Sequence, residues 1–124
     1  MTRIGLLLVA LTLCSQAWAA PFDEANAAFK RGDYATAMLF LRPLAEKGNT
    51  LAQVELGAMY HGGLGVPQDY VQAHKWFNIA ASRFPASQKQ ARDLALKARD
   101  AIATMMTPAQ IAEAQQLARE WKPK

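Results

Sequence analysis

The chain has 124 residues, 52% of them apolar and 19% charged, which suits one domain with a modest core. Its formal charge of +4 is scattered along the sequence, which excludes the basic stripe needed to track a phosphate backbone. A single cysteine, Cys14, excludes an internal disulfide framework and a cysteine-based metal site.

The first segment reads as a leader. Arg3 precedes Ile4 to Leu13, which is apolar except for Gly5 and Thr12, and Ala17-Trp18-Ala19 follows. A positive start, an apolar run and small residues at a cut site are the parts of a secretory signal peptide. The run is shorter than the ~20 residues that cross a bilayer. Cleavage after Ala19 is expected, because cutting after Ala20 would leave Pro21 first. A lipoprotein cut at Cys14 needs a small residue before the cysteine, and Leu13 is large. Removing residues 1–19 takes away Arg3 and Cys14, leaving thirteen Lys/Arg against ten Asp/Glu and no thiol. The mature chain is therefore expected to be exported, without a transmembrane segment and without a nucleic-acid partner.

Beyond the leader, apolar residues recur at helical spacing and nowhere alternate with period two. Ala25, Ala28 and Phe29 predict a helix over 23–31 that stops at Gly32. Asp33 then opens one over 34–47, with Tyr34, Ala37, Met38, Leu41, Leu44 and Ala45 on its apolar face and Pro43 inside it, where a kink is expected. Further helices are expected over 51–61, 70–83, 88–105 and 108–121. Their starts share a spacing: Thr50 with Gln53, Asp69 with Gln72, Ser87 with Gln90, and Thr107 with Gln110. Each pair fits a capping box, in which two side chains satisfy two orphan backbone donors. Short joints carrying Gly32, Gly48, Gly62, Gly63, Gly65 and Pro85 should turn each helix back on its neighbour. The fold class is all-α.

The chain repeats itself. Asp33-Tyr34 and Asp69-Tyr70 begin two helices in which Ala37 corresponds to Ala73, Leu41 to Phe77, Leu44 to Ala80 and Ala45 to Ala81. A helix pair recurring every 34 to 47 residues or so marks a helical solenoid. Residues 52–81, AQVELGAMYHGGLGVPQDYVQAHKWFNIAA, resemble a Sel1-like repeat, a branch of the tetratricopeptide superfamily. The first helix carries Ala52, Leu56, Gly57 and Tyr60 of that pattern, and the joint carries Gly63, Gly65 and Val66. Asp69, Tyr70, Ala73, Trp76, Ala80 and Ala81 complete it. Residues 22–48 look like the shorter tetratricopeptide-type pair that often precedes such a repeat. The remainder departs from the pattern, and MTPAQIAEAQQLAREW is similar to the closing helix of many exported members. The resulting division is a leader at 1–19, a first helix pair at 20–48, a Sel1-like repeat at 49–84 and capping helices at 85–124.

The glycine-rich joint raises the question of catalysis. A phosphate loop follows a strand and carries Lys-Ser/Thr or a complete GxGxxG, whereas Val66-Pro67-Gln68 follow Gly65 here. A helix joint is the better reading, with a glycine supplying the left-handed residue. His61 and His74 lack the spacing of a zinc site and are expected to be solvated polar positions. Ser82 and Ser87 lack a nucleophile-elbow context. Asp93 and Asp100 share a face with Lys97 and Arg99, as a charged helix surface does, with Asp93–Lys97 at i,i+4. Trp76 and Phe77, and likewise Ile102, Met105 and Met106, are expected in the core.

The resemblance implies a non-catalytic interaction module of the bacterial envelope, periplasmic or secreted, in an adaptor, regulatory or assembly role. It would bind a protein or peptide segment on the concave face formed by the first helix of each pair, at Asn26, Lys30, Gln53 and Met59. No cofactor, metal or catalytic residue is expected. The alternative is a binder or weak hydrolase of cell-wall compounds, as some exported relatives have been linked to β-lactams. This sequence lacks their cysteine pairs and an SxxK motif.

Overall fold

A computed structural model of the chain describes residues 19–124. Apart from Ala19, the leader, with Cys14, lies outside the described residues. The described part of α1 covers 19–30. It is followed by α2 (Tyr34–Glu46), α3 (Thr50–Gly62), α4 (Tyr70–Arg83), a short 3-10 turn (Ala86–Gln88), α5 (Lys89–Ala103) and α6 (Pro108–Glu120). Among the described residues there is no strand. All six expected helices form.

Local chemistry places the joints. Gly32 adopts φ 76° while the Asp33 N–H donates to the Ala28 carbonyl at 2.9 Å, closing α1. The Asp33 carboxylate then accepts from the Thr36 N–H at 3.3 Å and opens α2. α2 runs through Pro43 to Glu46, with the proline ring exposed and the Lys47 N–H bonded to the Pro43 carbonyl. Only one expected capping box forms fully: Thr107 Oγ1 accepts from the Gln110 N–H at 3.1 Å, and Gln110 Oε1 accepts from the Thr107 N–H at 2.9 Å. Asp69 caps α4 alone, through the Gln72 N–H at 3.1 Å. Asn49, rather than Thr50, caps α3 by accepting from the Ala52 N–H at 2.9 Å. Ser87 lies in the 3-10 turn, and α5 starts without a side-chain cap.

The glycine-rich joint is structural. Gly63 ends α3 at φ 65°, and the Leu64 N–H donates to the Met59 carbonyl at 2.9 Å. Gly65, at φ 72°, lies against the start of α2, where a Cβ would stand 2.6 Å from the Tyr34 carbonyl oxygen. The joint thus locks one helix pair onto the next. Gly57 does similar work inside α3: a Cβ there would lie 3.1 Å from the Phe77 ring, so its absence lets α4 approach closely.

The helices stack as α2 on α3, α3 on α4 and α4 on α5. α1 joins through Ala25 and Ala28, which share a core with Leu41, Leu56 and Trp76. A second core places Phe77, Phe84, Ala95 and Ile102 between α4 and α5. Trp76 and Phe77 are buried as expected. Met105 is not: it sits in the turn where the chain leaves α5 and is 49% exposed. The expectation of successive neighbours also fails for the last helix. α6 packs on α4 rather than on α5. At its end the Trp121 indole meets Trp76 of α4 edge-on at 6.2 Å, and its N–H reaches α2, donating to Glu46 at 3.4 Å.

Candidate peptide-binding face

α1, α3 and α5 are the first members of successive helix pairs, and their outward faces are joined by two depressions. Between α1 and α3 lies one of about 140 Å³, lined by Asn26, Phe29, Glu55 and Ala58. Between α3 and α5 lies one of about 220 Å³, bordered by Leu51, Val54, Ala91 and Leu94, with Phe77 and Phe84 behind them. Three exposed apolar side chains border these depressions: Phe29, Leu51 at 55% and Leu94 at 67% exposure. Leu39 and Met105, also exposed, lie elsewhere. Single exposed apolar residues need no explanation, but three on one face do.

Two of the four residues expected to contact a partner are misplaced. Gln53 is fully buried, and its side-chain amide donates to the Ala45 carbonyl at 3.1 Å, bracing α3 against the end of α2. Met59 is also fully buried in the first core. The reason is helix geometry: Ala52, Leu56 and Met59 stand at i, i+4 and i+7 and form one inward stripe. Because α3 is packed by both α2 and α4, the inward arc also takes in Gln53. The outward stripe, one residue earlier, is Leu51, Glu55 and Ala58. That i, i+4, i+7 spacing was the available signal. Asn26 is half-buried in the α1–α3 depression, and Lys30 is exposed at the end of α1.

Glu55 gives this depression its chemistry. Its carboxylate is half-buried and makes no ion pair among the described residues, and burial raises its pKa above the ordinary glutamate value. The depression thus offers an acceptor that lacks a cation, beside the Phe29 ring and the small Ala58.

The remaining polar candidates fall apart as sites. His61 is exposed, but His74 is buried, correcting its expected solvation. Burial, helped by the Arg99 charge and opposed by Asp100, lowers the pKa of His74. Its Nδ1 has no partner among the described residues. Ser82 donates its hydroxyl to the Ile79 carbonyl at 2.7 Å, and Ser87 is exposed. Asp93 pairs with Lys89 at 3.6 Å instead of Lys97, and Asp100 pairs with Arg99 at 2.9 Å. Among the described residues no group of three or more His, Cys, Asp or Glu side chains is placed to hold a metal.

The pattern residues serve the packing. Ala52, Leu56, Ala73, Trp76, Ala80 and Ala81 are buried, Tyr60 and Tyr70 are half-buried, and Asp69, Gly63 and Gly65 form the joint. Stacked helix pairs with such a joint define a short α-solenoid. The Sel1 repeat family model matches residues 50–83. The chain is similar to the crystal structure of c5321, a protective antigen present in uropathogenic Escherichia coli strains displaying an SLR (Sel1-like repeat) fold. The two share 32% identity with a TM-score of 0.72, over 84% of this chain and 22% of that one. The chain thus spans about a fifth of that protein's length. No curated protein matches. Residues 50–83 thus carry a Sel1 repeat, set in a helical solenoid similar to that SLR fold. Sel1 repeat proteins are generally protein-interaction modules, and their fold is typically a non-catalytic scaffold. None of the described helices is long and apolar enough to cross a membrane.

Proposed function

We propose that this chain is an exported, non-catalytic module of the bacterial envelope that holds a segment of a partner protein between α1 and α3. The observation that carries this reading is Glu55, half-buried and without an ion pair among the described residues, in one depression with Phe29, Asn26 and Ala58. A partner segment would place an apolar side chain against Phe29 and Ala58 and a cationic or N–H donor on Glu55. Asn26 supplies a further hydrogen bond, and Lys30 flanks the end of the groove. Such contacts rely on shape and scattered polar groups and need no catalytic residue. Export rests on the leader sequence at residues 1–19 and on the likeness to an antigen with the same fold.

The test is co-purification from envelope extract with wild type, Glu55→Lys and Ala58→Arg, each first shown to have the same helical circular dichroism. A protein retained by wild type and lost with both variants supports the reading. Equal retention by all three places the contact elsewhere. Turnover of a cell-wall compound by the purified chain would replace a scaffold with an enzyme.

A further inference from the structure

The α3–α5 end of the same face has a different character. α2, α3 and α4 each have helices packed on two sides, through the first core or through direct stacking. α5 packs on α4 and on the 3-10 turn, and α6 turns away from it to α4. The flank of α5 that the next helix of a longer stack would cover is therefore open. Leu94 projects from it at 67% exposure, on the rim of the depression that it lines together with Leu51, Val54, Ala91 and Ala98. Each molecule thus carries both an apolar knob and an apolar hole.

The charges on that flank say what fits. Asp93, Leu94 and Lys97 share a shallow recess with Gln90. Lys97 makes no ion pair among the described residues. Asp93 pairs with Lys89, in a largely exposed ion pair of little strength. Asp93 and Lys97 stand two residues before and two after Ala95. Two antiparallel α5 helices crossing at the level of residue 95 on this open flank would set Asp93 of each against Lys97 of the other. Parallel helices in register would set like charges together. Self-complementarity of this kind is what a twofold interface requires.

We propose that a second copy of this chain covers the flank. The two α5 helices pack antiparallel through their Leu94 and Lys97 side, about a twofold axis at the level of residue 95, with Ala95 itself facing α4. Leu94 of each copy enters the α3–α5 depression of the other, and each Asp93 pairs with the partner's Lys97. The proposal does not rest on the partner reading of the α1–α3 depression.

Sedimentation and light scattering on protein purified from the full coding sequence test it. Wild type is expected at twice the monomer mass. Leu94→Asp is expected at the monomer mass with unchanged circular dichroism, because that side chain is mostly in solvent. Asp93→Lys and Lys97→Asp should each halve the mass by opposing like charges, and the double variant should restore the dimer. Ala58→Arg should leave the dimer intact. A wild type that stays monomeric at all concentrations overturns the proposal, as does a dimer that survives Leu94→Asp. Failure of the charge-swapped double variant to recover overturns the antiparallel geometry.

Discussion

The α3–α4 pair and the α5–α6 pair are of similar length but are held together differently. In α4, seven of fourteen residues are buried; Gly57 lets α4 close on α3, and Gly65 lets their joint close on the start of α2. In α5 only Ala95 and Ile102 are buried, and in α6 only Ala114. α6 packs along α4 with one buried residue, and its end is further held through Trp121, Glu46 and the Lys124 N–H, which donates to the Glu46 carbonyl at 2.8 Å. The contrast separates a hub that cannot change from an edge that leaves side chains free for contact. In a solenoid each unit is stabilised by its neighbours, so the hub carries stability and the open faces carry recognition.

Substitutions in the hub sharpen the contrast most. Trp76→Ala should cost about 3–5 kcal/mol in denaturant unfolding, since it empties the site where α4 meets α1, α2 and α6. Gly65→Ala combines a left-handed φ with backbone contact and should cost on the order of 2–3 kcal/mol by the same measurement. On the edge, Trp121→Ala removes a half-buried ring and one long hydrogen bond, and about 1–2 kcal/mol is expected. A loss from Trp121→Ala equal to that from Trp76→Ala would erase the distinction between hub and edge.

A smaller effect depends on pH. The pKa of folded His74 lies below its ordinary 6.5, so between those two values the unfolded chain binds more protons. His74 therefore favours the fold fully above pH 6.5, and that contribution is lost as pH falls through 6.5 toward the lower folded value. Glu55, raised from its ordinary 4.5, works in the opposite sense: its contribution falls as pH rises through its own range. The His74 part is read as the difference in stability slope between wild type and His74→Gln, and the variant should be flatter below pH 6.5. Smallest of all in stability is Ala58→Arg, exposed and within about 0.5 kcal/mol of wild type. Its effect belongs to binding.

The helices, their joints and the repeat were legible because they rest on local chemistry: apolar spacing, glycine at positive φ and acidic caps at Asp33 and Asp69. The capping spacing misled at Thr50 because Asn49, one residue earlier, takes the cap and releases Gln53 to the Ala45 carbonyl. The burial of His74 and the docking of α6 on α4 depend on contacts between distant segments. Trp121 and Glu46 are 75 residues apart, and no local pattern announces their pairing. The candidate groove was half legible. Asn26 and Lys30 lie on α1, beside the groove, but taking Tyr60 of the repeat pattern as the inward position on α3 overshoots Met59 by one residue. That choice offered Gln53 and Met59 as contacts and hid Glu55 and Ala58.

The recognition reading turns on whether a partner touches the face between α1 and α3. A photo-crosslinking amino acid placed at position 58, with a matched control at position 39 on the exposed side of α2, measures this in living cells. A defined adduct at position 58 that is absent at position 39, and lost when Glu55→Lys is added, is the predicted result. An adduct at position 39 alone, or none at position 58, would contradict the assignment of this face.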